Sequence, residues 1–261
     1  RRVYDTVIQG QSGLAASQTG IHDDQPKLIK QLICDKVTAY TACQAITAAL
    51  LARERGSGGQ HLELSMLDAC IAFMFVDAAD HEVILDGDHS GPQAVAAYNT
   101  PFAFRDGFAT VAVPDDEEFH GLARAMGVDS SDPDLATVRD RVAHPDKTRS
   151  FHLQVRENAR QLTTAEAEAH LENNGVPFGI VRLVGEVAHD PQVVANALFS
   201  EFDHPAAGRI RHHRSPTRFH GTPAEFREPA APTLGQHSDE VAAETGRGDR
   251  INQLRSAGVI R

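Results

Sequence analysis

Residues 35–68 read DKVTAYTACQAITAALLARERGSGGQHLELSMLD, and the order of elements they specify sets the fold. From Lys36 to Arg55 no Gly or Pro intervenes, and Val37, Tyr40, Ile46, Leu50 and Leu51 recur at three-to-four spacing among alanines, which predicts one long helix. Asp35 is expected just ahead of it, where a carboxylate can accept the free N–H groups of the first turn and meet the positive end of the helix dipole. Arg55 followed by Gly56-Ser57-Gly58-Gly59 supplies a basic last turn and a left-handed cap. His61 to Ser65, with Leu62 and Leu64 alternating around Glu63, predicts a strand, and Leu67 to Asp80 a second helix.

Outward from this stretch the pattern is less regular. Arg1 to Gln25 is rich in Gly, Ser and Ala, with Gly10, Gly13 and Gly20 interrupting any helical period, and reads as turn-rich connecting chain. Asp86 to Gln93 (DGDHSGPQ) reads as a linker into a new unit. Tyr98–Phe104 and Phe108–Val113 flank Arg105-Asp106-Gly107 and predict a hairpin, followed by a helix over Glu117–Met126. Helices are expected over Val138–Arg160 and Thr164–Asn173, the second opening on a threonine cap and closed by Asn174-Gly175. Val176–Leu183 is a short apolar segment, and Glu186–Leu198 is helical with a break at Asp190-Pro191. Between Phe202 and Pro232 the chain is punctuated by Pro205, Pro216, Pro223 and Pro229 and reads as a surface-wrapping segment. Short helices over Asp239–Glu244 and Arg250–Ala257 end the chain.

Composition narrows the function. The 261 residues carry a formal charge of -11, which argues against nucleic acid as a partner, and 41% hydrophobic with 23% charged residues is ordinary globular usage. The longest apolar runs, Ala45–Ala52 and Cys70–Val76, are under half the roughly 18 to 20 residues that cross a bilayer, so no membrane partner is expected. Cys34, Cys43 and Cys70 form no CxxC pair and sit in apolar stretches, which reads as reduced core thiols and fits a cytoplasmic setting.

Several constellations read as structure. His204, the His212-His213 pair and His220 lack the spacing that aims nitrogens at one ion, so no metal is expected. RIRHHRSPTR at 209–218 reads as an edge strand blunted by charge. Gly56–Gly59 follow a helix and precede no Gly-Lys-Ser/Thr, so they do not cradle phosphate. Gly10-Gln11-Ser12-Gly13 only approximates a nucleophile elbow, and no cysteine has the basic surroundings of a reactive thiol apart from Lys36 near Cys34.

Taken as a set, YDTVIQG at 4–10, SGLA at 12–15, DKVTA at 35–39, AALLARE at 48–54, GQH at 59–61 and SMLD at 65–68 resemble the family III CoA-transferases, the CaiB/BaiF group. NGVPFG at 174–179, DPQV at 190–193, PTLGQHS at 232–238 and the closing Leu254-Arg255 with AGVI at 257–260 extend the resemblance along nearly the whole chain. It implies an α/β fold: a partial Rossmann-like large domain from residues 1–85, completed by 185–261, with a smaller α+β domain inserted at 95–180. It also implies an interlocked homodimer and a preceding strand-helix-strand half, so that the chain resembles a fragment. By the same resemblance no permanently held cofactor is expected, and a coenzyme A thioester is the expected substrate.

The family's catalytic aspartate falls on Asp35, and its CoA-contacting segment on Arg2, Val3 and Tyr4. A carboxylate is ionised near neutral pH without a separate base and can attack a thioester to form an anhydride, so covalent catalysis suits the residue. An Arg–phosphate pair at about 4 Å is worth roughly 4 kcal/mol at an effective dielectric near 20, before desolvation, so Arg2 can favour CoA despite the net charge. The family also contains α-methylacyl-CoA racemases, which need an acid/base pair. Where these place a histidine this chain has Tyr4, a poor base at neutral pH, and their glutamate falls near Asp116. Transferase is therefore expected, with racemase and an inactive fragment that only assembles with a partner as alternatives. A glycine-rich loop found over some transferase sites has no counterpart between Gly91 and Tyr98, leaving the acceptor acid open.

Overall fold

The computed structural model describes residues 2–19, 25–78, 80–83, 85–86, 100–224 and 231–260. The linker expected over 86–93 beyond Asp86, the Gly91–Tyr98 stretch and the first residues of the expected hairpin lie outside the described residues. The chain divides into two compact units, Arg1–Val181 and Arg182–Arg261.

The first unit opens with two short helices, α1 (Asp5–Gln11) and α2 (Leu14–Ser17), where the sequence predicts connecting chain. Gly13, at φ 87, is a hinge between the helices and not a bar to them, because burying Ile8, Leu14 and Ala15 outweighs the weak propensity of the stretch. The long helix is α3 (Ile33–Ala52), which begins two residues before Asp35. Asp35 is thus the third residue of the first turn, and the position ahead of the helix belongs to Leu32, whose side chain caps nothing. Arg53–Ser57 widens into a π-turn that ends on Gly56 and Gly58, both at positive φ, as the expected glycine cap requires. Residues 61–65 join no sheet: their alternation fits a strand, but no described strand lies beside them to complete a ladder. Helix α4 (Met66–Ala78) follows, then the single turn α5 (Asp80–Val83). Ile8, Leu14, Cys34 and Cys70 form the core here, with Ile29, Ile33, Met66, Leu67 and Met74 packed around them. Cys43, expected in the core, is exposed, because it lies on a face of α3 that this core does not cover.

A second core spans Phe102 to Val176. Strands β1 (Phe102–Ala103) and β2 (Phe108–Val111) form the expected hairpin, shorter than its sequence pattern, and β3 (Phe178–Ile180) adds antiparallel to β2. Helix α6 (Asp116–Met126) is set by a capping box between Asp115 and Glu118 and stopped by Gly127 at φ 63. The single helix expected over 138–160 divides into α7 (Val138–Ala143) and α8 (Pro145–Ala159), since Pro145 offers no N–H and fits a first helical position. Thr163 and Glu166 box the start of α9 (Thr164–Asn173). Phe119 of α6 packs with its ring centroid 4.3 Å from that of Phe151 on α8, and the Arg141 guanidinium lies 4.1 Å over the Phe119 ring.

In the second unit, α10 (Pro191–Ala195) starts where the Asp190-Pro191 break is expected, with Asp190 accepting the N–H groups of Gln192 and Val193. The stretch read as surface-wrapping chain instead opens on a hairpin, β4 (Phe199–His204) and β5 (Gly208–His213). Strand β5 takes up the first part of the charged edge strand read over 209–218, and Glu201 on β4 pairs with Arg209 and Arg211 across the hairpin. Arg214 donates to the carbonyl oxygens of Asn196 and Ala197 and braces Ala197 at φ 47. Helices α11 (Ser238–Glu244) and α12 (Ile251–Ser256) close the chain. Every strand pair among the described residues is antiparallel. No helix among the described residues is long and apolar enough to cross a membrane.

Two outcomes follow from the second core. A Cβ on Gly121 would lie 2.6 Å from the Asn174 carbonyl oxygen, so Gly121→Ala should cost about 1–3 kcal/mol in denaturant unfolding. Burial, aided by Arg156 and Arg141, holds the His152 imidazole below its usual pKa. The unfolded chain therefore binds more protons at His152 than the folded one, and stability falls as pH drops through the ordinary histidine range. His152→Gln should flatten the change in the unfolding midpoint between about pH 7 and pH 5.5, above the range where carboxylates titrate.

Candidate active site

The first turn of α3 presents N–H groups that have no partner within the helix, and Leu32 offers no side chain to accept one. The acceptor comes instead from α1: the Asp35 N–H donates to Asp5 Oδ2 at 3.1 Å. The other oxygen, Asp5 Oδ1, accepts from Gln9 Nε2 at 2.6 Å, one helical turn along α1. Gln9 Nε2 also reaches the carbonyl oxygens of Ile29 at 3.1 Å and Gln31 at 3.4 Å, while Gln9 Oε1 accepts the Ile29 N–H at 2.9 Å. Asp5 is 3% exposed and Gln9 0%, so these bonds are shielded from water and hold the chain over 29–35 against α1.

Beside this network the Cys34 and Cys70 thiols hydrogen-bond each other. Burial first, then the bond to Cys70 and the negative charges of Asp5 and Asp35, push the Cys34 thiol up to about 12. A thiol held that far up is not a nucleophile at neutral pH, which leaves Cys34 a packing role next to Asp35.

The Asp35 side chain is exposed, and no described residue donates a hydrogen bond to its carboxylate. Its backbone is fixed while its oxygens are open, which suits a nucleophile: the helix start sets the direction and the lone pairs are free. Arg2, Val3 and Tyr4 are exposed as well. The Tyr4 carbonyl oxygen accepts the N–H groups of Val7 and Ile8 and so starts α1, and the next residue, Asp5, links this segment to Asp35. The structure therefore ties the expected CoA-contacting segment to the start of α3 through one side chain. Reading residues 1–25 as connecting chain hides Asp5 and Gln9; their i,i+4 spacing is the signal that points to them.

Other candidates are occupied. Asp116 takes a structural part: its Oδ1 accepts from Arg141 Nη2 and from the Val138 N–H, both at 2.7 Å, which ties the start of α6 to α7. Ser12 is buried, and its Oγ lies 3.4 Å from the Leu14 N–H at the start of α2. His204 Nε2 contacts the Ala231 carbonyl oxygen and its Nδ1 accepts from Ala206 and Ala207, while His212 stacks on His213. Among the described residues no group of three or more His, Cys, Asp or Glu is placed to hold a metal.

Comparison with known proteins gives a consistent result. The model of CoA-transferase family III matches residues 1–238. A succinate–glutarate CoA-transferase of Agrobacterium fabrum is 31% identical over 252 residues, 92% of this chain and 60% of that protein. A human succinyl-CoA:glutarate CoA-transferase is 26% identical over 276 residues, covering 100% of this chain and 60% of its own length. The crystal structure of a CaiB/BaiF family protein from Brucella suis superposes with a TM-score of 0.70 at 26% identity, covering 94% of this chain and 63% of that one. The chain thus spans about 60% of the length of these relatives. With the motifs, the mixed α/β architecture and the family match in agreement, the chain belongs to CoA-transferase family III.

Proposed function

We propose that the protein containing this chain moves CoA from an acyl-CoA thioester to a carboxylic acid, with Asp35 as the covalent relay. The observation that carries this reading is the combination at Asp35 of a backbone fixed by buried Asp5 and a carboxylate left open. In the first step an Asp35 oxygen attacks the thioester carbonyl carbon, the C–S bond breaks, and CoA leaves as thiolate with an anhydride on Asp35. The thiolate then attacks the aspartyl carbonyl, releasing the donor acid and leaving an aspartyl-CoA thioester. An acceptor carboxylate attacks that thioester, forming a second anhydride and freeing the thiolate. Attack of the thiolate on the acceptor's acyl carbon gives the new acyl-CoA and restores the Asp35 carboxylate. Bonds broken and formed balance at each step.

Arg2, Val3 and Tyr4 contact the CoA moiety in this reading, supported by their link through Asp5 to Asp35. The names of the related proteins support a dicarboxylic acid as donor or acceptor. Residues 1–85 and 185–261 belong to a Rossmann-like large domain and 95–180 to an inserted one, in an interlocked homodimer. The exposed apolar faces of α3 and α4, with Tyr40 76% exposed and Ile46, Leu50, Leu51, Phe73 and Val76 also open, support an assembly in which further protein covers them. A cytoplasmic setting is supported by Cys34 and Cys70, which lie together as free thiols.

Incubation of the enzyme with acyl-CoA and hydroxylamine should convert Asp35 to its hydroxamate, found by peptide mapping. Asp35→Ala should lose turnover by roughly three orders of magnitude or more. Trapping that persists elsewhere in Asp35→Ala, with turnover retained, sinks the proposal.

A further inference from the structure

The geometry points to Asp5 as the positioning residue for Asp35, an inference that rests on the covalent role proposed above. Asp5 is buried, hydrogen-bonds Asp35 through the backbone N–H, and is a carboxylate whose two oxygens accept from two different donors. One donor belongs to the residue that carries the reaction; the other, Gln9, is itself tied to Ile29 and Gln31 on the chain entering α3. The pair therefore fixes both the start of α3 and the path of the segment before it, and hence the direction in which the Asp35 carboxylate leaves the helix. An ordinary N-cap stands next to the helix it caps, whereas this acceptor is 30 residues earlier in the chain and on another helix. The arrangement couples the Arg2–Tyr4 segment, which runs directly into Asp5, to the nucleophile.

Asn fits the space of Asp but replaces one acceptor oxygen with a donor. In Asp5→Asn either the Asp35 N–H or the Gln9 amide loses its acceptor, or Gln9 turns over and abandons Ile29. The variant should lower kcat roughly tenfold to a hundredfold per CoA-binding equivalent, with KM for acyl-CoA within about twofold. Counting per CoA-binding equivalent removes the effect of a smaller folded fraction, which is all a purely structural role would produce. In the unaltered enzyme the Asp35 backbone amide should exchange with solvent at least about a hundredfold more slowly than an unprotected amide, a reading that needs no variant. An unprotected Asp35 amide, or an Asp5→Asn enzyme with kcat unchanged per CoA-binding equivalent, overturns the inference. Turnover retained in Asp35→Ala would instead overturn the covalent role, so the two failures are told apart.

Discussion

The Asp5 carboxylate between the Asp35 N–H and the Gln9 amide is the constraint on which the site depends. Leaving a buried donor or acceptor of this kind unpaired costs about 1–3 kcal/mol, so the three groups favour one mutual arrangement over any that separates them. Because Gln9 spends its remaining capacity on Ile29 and Gln31, the constraint reaches from α1 across the entering segment to the first turn of α3. The apolar contacts of Ile8, Leu14, Cys34 and Cys70 supply the non-directional part of the stability, and the hydrogen bonds supply the direction.

The second core is built on other terms. Phe119, Phe151, Leu122 and Leu171 bury apolar area, while Arg141, itself buried, satisfies its guanidinium with Asp116, the Leu135 carbonyl oxygen and the face of Phe119. Asp116, in a suggestive position by sequence, has one carboxylate oxygen holding Arg141 and the first turn of α7 in place. The exposed ion pairs of Lys147 with Asp132 and Asp134 add little, because water and salt screen them.

Elements specified by local chemistry are legible in the sequence. The alanine-rich run of α3, the Asp115/Glu118 box of α6 and the glycines that end α3 and α9 each act within a few residues. Elements that depend on distant partners are not: α1 and α2 form because Ile8 and Leu14 find a core, and 61–65 lacks the neighbour its alternation would need. Asp35 is legible through the resemblance of its flanking motif, but its place inside the first turn is not, since the acceptor for its N–H comes from Asp5. Cys43 defeats the sequence reading because an apolar neighbourhood in sequence does not decide which face of a helix is covered.

The covalent relay makes one demand that other routes to the same products do not. An acceptor acid labelled with heavy oxygen in its carboxylate must leave one of those atoms on the aspartate that carried the CoA, because the second anhydride breaks on the acceptor side of its bridging oxygen. Mass spectrometry of the peptide containing Asp35 after turnover reads this directly. The account predicts one heavy oxygen on Asp35 after a single turnover; products formed at the normal rate with Asp35 unlabelled would contradict it.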